Sequence, residues 1–268
     1  GPLANLGGAL EPGVAAMTIG TSGAVRVAVR RPAADAGGRL FCYPLAEGWW
    51  IAGGAVNSGG VVFRWLRDRL APDLAGAGGG EGYARLVGLA MEAPPGAGGL
   101  LFLPHLSGER APHWDERARG AFVGLSLEHD RRHMLRAGLE GIVLHMRSVA
   151  DVLEAVAGEI REIRVSGGFA RSAALRQLIA DVFGRPVVLT DSEDASALGA
   201  ARLALHALGW LADLAAPGAA VTDLKRPNPE LVPVYDRIHG MFRRLYDRAA
   251  GTFAELDAFR SGGCNPGQ

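Results

Sequence analysis

The sequence reads as an α/β domain on three grounds. Short β-type runs alternate along the chain with segments whose apolar residues recur every three or four positions. Glycine-rich turns stand where such runs give way to helical periodicity. Of the 268 residues, 49% are hydrophobic and 21% charged, enough apolar material for one large or two small globular domains.

Met17 to Ile19 and Ala24 to Val29 read as two strands joined by the tight turn Gly20-Thr21-Ser22-Gly23, a hairpin with polar groups at its tip. Phe41 to Tyr43 and Trp49 to Gly53 read as two more. A glycine-rich entry, Gly54 to Gly60, then leads into an amphipathic helix over Val61 to Leu70. Gly76 to Gly82 and Pro94 to Gly99 are surface breakers, not domain boundaries, and Leu100 to Leu103 is a strand. Leu135, Leu139, Ile142, Met146, Val149, Leu153 and Val156 fall on one stripe of a long core helix. Arg164 to Ser166 is a strand ending at Gly167-Gly168, and the helix after it carries Leu175, Leu178, Ile179 and Val182, with Ser172 as its N-cap. Pro186 to Leu189 is a further strand, followed by an Ala-rich helix over Ala195 to Leu208 whose small side chains permit close packing. Tyr235, Ile238, Phe242, Leu245, Ala249, Phe253 and Leu256 give a docking helix that closes the chain.

Composition narrows the function. Lys plus Arg number 28 and Asp plus Glu 28, so the net charge is zero and the electrostatic footprint of a nucleic-acid or anionic-membrane binder is missing. A small-molecule partner fits better. Cys42 and Cys264 stand far apart with no metal-type spacing, which argues against a disulfide framework or a structural zinc site and suits the cytoplasm. No apolar run approaches the roughly 18 to 20 residues needed to span a bilayer. The first methionine is Met17, so the chain reads as a piece of something longer.

Several strings carry donors or charges. Gly20-Thr21-Ser22-Gly23 lets a backbone approach an anion closely and adds two hydroxyls, although a plain hairpin turn fits the four residues as well. Arg64 fits either a ligand contact or a solvated helix arginine. Glu109 and Arg110 suit bracing of a loop better than reaction. His105, His113, His129 and His133 follow no zinc spacing, and structural or surface roles suit them better, so no metal site is expected from spacing. Asp191, Glu193 and Asp194 precede the Ala-rich helix, where carboxylates favoured by the helix dipole are expected.

The run from Leu101 to Glu128, with Leu-Pro-His-Leu-Ser-Gly-Glu-Arg at 103–110 and Gly120, Phe122, Gly124 and Leu125 beyond it, resembles the signature of the FGGY carbohydrate kinases. The match continues at His133, Met134, Ala137, Leu139 and Glu140, and Gly138 alone departs from the pattern. The resemblance implies a ribonuclease-H-like fold of the actin-like ATPase superfamily, a mixed sheet flanked by helices, and a role in ATP-dependent phosphorylation of a sugar. Gly20, Thr21, Ser22 and Gly23 resemble the second phosphate loop of that family. Gly53 to Gly60, followed by Trp65 to Asp68, resembles the segment bordering its nucleotide pocket, which implies contacts from Gly60 and Arg64. Ser166 to Ser172 resembles its adenosine motif, implying a place beside the nucleotide for Gly167, Gly168 and Ser172, the last standing where many members have Asn.

The resemblance covers nearly the whole chain but only the C-terminal half of such a kinase, so residues 1–268 read as its nucleotide-binding domain without the N-terminal sugar-binding domain. Gly1-Pro2-Leu3-Ala4-Asn5-Leu6-Gly7 resembles the tail of the family's Gly-Asp-Gly-Pro pattern, which puts the catalytic aspartate immediately before Gly1 and leaves no catalytic residue in the chain. The expected cofactors are ATP and Mg²⁺, and these residues alone are expected to be inactive. That opening, with Thr18 to Arg26, is more similar to gluconokinases than to xylulokinases, so D-gluconate is the expected acceptor and xylulose the alternative. A non-catalytic nucleotide-binding module is the reading from a different class. Oligomeric state is left open, a homo-oligomer included.

Overall fold

In a computed structural model the protein is described over residues 2–74, 80–190, 194–215 and 220–261. A seven-stranded mixed sheet runs in the order β3 (Phe41–Pro44), β4 (Trp50–Val56), β2 (Gly23–Val29), β1 (Val14–Ile19), β7 (Glu162–Ser166), β8 (Val187–Thr190), β9 (Val221–Lys225). The hairpin half is antiparallel, β1 and β7 and then β7 and β8 pair in parallel, and β9 closes the edge antiparallel. This is the mixed, helix-flanked sheet the sequence implied. A separate two-stranded ribbon joins β5 (Leu101–Leu103) to β6 (Ala121–Val123).

Helix α4 (Arg131–Ala157) is the centre of the core, packed between the sheet and helices α2 (Gly60–Leu70), α3 (Glu81–Met91), α5 (Ala173–Phe183) and α7 (Val232–Ser261). Its start is fixed by Asp130, which accepts from the amides of Arg132 and His133 while the His133 side chain returns to the Asp130 amide. Leu135, Leu139, Ile142, Met146, Val149 and Leu153 are fully buried, each contributing about 1.5–3 kcal/mol of apolar burial. Val156 is only partly buried. The stripe understates the helix, because Arg136, Glu140, His145 and Ser148 are buried too. Arg136 pairs with Glu140 at 2.6 Å, and the Tyr235 hydroxyl of α7 donates to Glu140 at 2.8 Å, so these two charged groups are satisfied where α7 docks. The α7 stripe ends early, with Leu256 46% exposed and Tyr246 buried in its stead.

On the other face of the sheet, α1 (Leu3–Leu6) lies on α6 (Ala195–Ala207). The crossing needs glycine: a Cβ on Gly199 would meet the Leu3 carbonyl oxygen at 1.8 Å, and one on Gly7 the Ala195 carbonyl oxygen at 2.1 Å. Asp194 caps α6 through the amides of Ser196 and Ala197; Asp191, Glu193 and Cys264 lie outside the described residues. No helix among the described residues is long and apolar enough to cross a membrane.

The α4–α7 contact carries a titratable group. His239 is 4% exposed, with Nε2 3.0 Å from the Ser148 hydroxyl, and burial, then the charges of Arg147 and Arg243, push it down to about 3. Below pH about 6.5 the unfolded chain therefore takes up a proton that the folded chain refuses, and stability falls as pH drops towards 3, by up to about 1.4 kcal/mol per pH unit from this residue. Urea unfolding of His239→Gln between pH 7 and 5 should show a shallower decline than the parent. Parallel declines would mean that His239 is protonated in the fold.

Candidate functional site

At the end of the sheet where β1, β4 and β7 stop, three turns meet around a cleft of about 660 Å³. The first is the tip between β1 and β2. Its carbonyls at Gly20 and Thr21 accept from the amides of Gly60 (2.6 Å) and Val61 (2.9 Å), the first residues of α2. Helix α2 has no side-chain N-cap, so tip carbonyls satisfy amides that would otherwise be orphaned. The Thr21 amide and hydroxyl have no hydrogen-bond partner among the described residues and stay available in the cleft.

That contact is close because two glycines make it so. A Cβ on Gly60 would lie 2.5 Å from the Gly20 oxygen, and one on Gly59 would lie 2.6 Å from the Ser22 carbonyl carbon. The turn before them is held from below by Glu109. Its Oε1 accepts from the amides of Asn57 (2.5 Å) and Arg110 (2.9 Å); its Oε2 accepts from the Ser58 hydroxyl and from the Ser58 amide (3.3 Å). Arg110 adds bonds to the Asn57 side-chain oxygen (2.8 Å) and the Val56 carbonyl (2.9 Å). Both residues brace, as the sequence suggested. Burial would raise the Glu109 carboxyl, but the adjoining His145 ring and the hydrogen bonds from His105 and Ser58 outweigh it and hold the group ionised, well below the usual carboxylate range.

The third turn follows β7. Gly167 takes φ +88°, and a Cβ there would stand 2.7 Å from the Ile19 oxygen, so the chain turns against β1 only with glycine. Gly168 to Arg171 form a short 3-10 turn, and Ser172 caps α5 by accepting from the Leu175 amide at 3.4 Å. The positive end of the α5 dipole faces the cleft at Ser172, Ala174 and Leu175.

Of the residues singled out by sequence, Gly20, Thr21, Gly60, Arg64, Gly168 and Ser172 line the cleft together. Ser22, Gly23 and Gly167 do not line it. Ser22 holds the tip through a bond from the Gly20 amide, Gly23 lies buried beneath Met146, and Gly167 makes the close pass by Ile19. Arg64 is exposed and makes no hydrogen bond or ion pair with the described residues, which leaves its charge for a ligand. Sequence reasoning missed the opposite wall, Tyr83, Val87 and Met91 of α3, and the contributions of Phe63, Phe169 and Arg171. The spacing of four from Tyr83 to Val87 to Met91 was the available signal; α3 begins inside the stretch read as a breaker. Tyr83 is fixed by Phe63, 4.8 Å away between ring centroids, and by the Arg67 guanidinium at 4.6 Å.

This geometry fits an elongated ligand with an anionic end and a flat apolar end, in the cleft where the sheet's turns converge. Residues 15–208 match the FGGY family of carbohydrate kinases, C-terminal domain, and the chain belongs to that family. It is 39% identical over 264 residues to a gluconokinase of Bacillus subtilis, aligning 93% of this chain with 52% of that protein. Two solved structures from Lactobacillus acidophilus superpose on 96% of the chain at 35% identity, a gluconate kinase with a TM-score of 0.88 and a ligand-bound xylulose kinase with 0.89, each over 51% of its own length. The chain thus spans about half the length of the curated relatives it matches.

The tip contact is testable without any ligand. Gly60→Ala should lower unfolding stability by roughly 1–3 kcal/mol through the clash with Gly20, although alanine favours a helix by about 1 kcal/mol over glycine. A variant as stable as the parent in urea would show that the tip yields without cost.

Proposed function

We propose that the cleft binds ATP with Mg²⁺, that residues 1–268 serve as the nucleotide-binding half of a carbohydrate kinase, and that the whole protein phosphorylates a sugar or sugar acid, D-gluconate first among them. The observation that carries this reading is the convergence of Thr21, Gly60 and Gly168, from three separate turns, on one cleft with an apolar far wall. The Thr21 amide and hydroxyl and the α5 N-terminus supply donors for phosphate oxygens, while Arg64 and Arg171 offer cations. Phe63, Tyr83, Val87 and Met91 supply the surface against which a purine would lie.

Phosphoryl transfer asks chiefly for positioning and charge neutralisation. The acceptor oxygen attacks the γ-phosphorus, its proton passes to a base, and ADP leaves. The chain aligns with about half of each relative's length, and the base and most acceptor contacts are proposed to lie on the other half. Gluconate is supported by the identity to the B. subtilis enzyme and by the local likeness at Gly1 to Gly7 and Thr18 to Arg26. The near-equal superposition on a xylulose kinase makes xylulose the second reading.

Titration with Mg-ADP followed by NMR should shift the amides of Thr21, Gly60, Gly168 and Ser172 at millimolar nucleotide, and Arg64→Ala should weaken binding by roughly 3- to 10-fold, the worth of one partly exposed charged contact. A spectrum unchanged at those amides would remove the nucleotide assignment. For the acceptor, the intact protein assayed by coupled ADP release should give a higher kcat/KM for D-gluconate than for D-xylulose or glycerol. A preference for xylulose would transfer the assignment to the second reading.

A further inference from the structure

Away from the cleft, three imidazoles converge behind the loop that follows β5. His105 stands two residues beyond β5, His113 follows Pro112, and His145 lies on α4; one ring nitrogen from each falls within 4.8 Å of those of the other two. His105 and His145 are fully buried, with ring centroids 4.7 Å apart, and His113 is half-buried under Tyr246, stacked at 3.4 Å. His105 turns Nδ1 to Glu109 Oε2 at 3.3 Å and leaves a buried Nε2 with no hydrogen-bond partner. His145 sets Nε2 3.2 Å from the same oxygen, in an alignment that makes no hydrogen bond, and its Nδ1 is buried and unpartnered. Buried polar atoms without partners are costly and rare in folded proteins, so two such rings side by side call for an explanation.

We propose that His105, His113 and His145 form a transition-metal site, with Zn²⁺ the fitting ion, that clasps the loop after β5 to α4. Three imidazoles are a donor set suited to Zn²⁺ and ill suited to Mg²⁺, which takes oxygen ligands, so this site is separate from any metal travelling with a nucleotide. A carboxylate facing one nitrogen of a ring while the other keeps an open lone pair is the arrangement that orients metal-bound histidines, and Glu109 faces two of the three in that way. Its charge also offsets that of a dication out of water. Bond lengths of about 2.0–2.1 Å would draw each ring inwards by roughly 1 Å. Half-buried His113 gives the ion its way in. The site does not depend on the kinase reading.

The test is Zn²⁺ binding by the EDTA-treated, dialysed protein in Mg²⁺-containing buffer, by competition with a chromophoric chelator, together with Co²⁺ substitution. One Zn²⁺ per chain with submicromolar affinity, intense visible Co²⁺ bands of a tetrahedral site and a raised Tm are expected. His113→Ala should weaken binding by roughly 100-fold and abolish the bands, whereas His129→Ala, which removes a histidine from the separate surface pair with His133, should leave both unchanged. Should His113→Ala not fold, X-ray absorption of the Co²⁺-loaded parent decides, with three imidazole nitrogens expected in the coordination sphere. Absence of stoichiometric Zn²⁺ binding, bands surviving in a folded His113→Ala, or a sphere without imidazole would overturn the proposal and leave the cluster an imidazole–carboxylate contact.

Discussion

The Glu109 carboxylate gathers the amides of Asn57, Ser58 and Arg110 and the Ser58 hydroxyl around a buried charge, and the cleft inherits its shape from that set of bonds. With Asn57 and Ser58 fixed, Gly59 and Gly60 are delivered against the tip between β1 and β2. The tip carbonyls then engage the first amides of α2, and Thr21 is left with its own donors unspent. A buried carboxylate is costly unless its oxygens are fully met by donors, and here backbone amides, a hydroxyl and an imidazole meet them. The same residue that would be expensive alone becomes a fixed point from which a turn more than fifty positions earlier takes its geometry.

Close backbone approach is the second constraint. Gly53, read as the end of a strand, and Gly54, read as the start of a glycine-rich entry, both lie inside β4: a Cβ on Gly53 would strike the Val25 oxygen at 2.4 Å, and one on Gly54 would strike Val149 of α4 at 2.5 Å. Gly138, where the sequence departs from the family pattern, has the same explanation, since a Cβ would fall 2.5 Å from Leu66 of α2. These glycines report helix and strand contacts, not flexibility.

What was legible in the sequence follows from what is local. The hairpin around Gly20 to Gly23, the stripe of α4, the Ser172 cap and the strand ending at Gly167 each express a short-range rule of periodicity or capping, and all are present. Helix α3 was hidden because glycine dominates the chain before it, and β6 and β9 because three- and five-residue strands take their identity from the partner they pair with. The wall of Tyr83, Val87 and Met91 went with α3. The cluster of His105, His113 and His145 follows no sequence spacing, because its third member arrives on a helix packed from another part of the chain.

Glu109 positions the turn that in turn positions the tip, and hydrogen exchange in Glu109→Gln reads that dependence out amide by amide. The amide replaces one acceptor with a donor facing other donors, a loss on the order of 1–3 kcal/mol where the group is buried. Exchange at the amides of Asn57, Ser58, Gly60 and Val61 should quicken by roughly tenfold or more, while amides of β7 and the body of α5 keep their protection. Unchanged protection from Asn57 to Val61 in a folded variant would mean that the turn keeps its shape without the carboxylate.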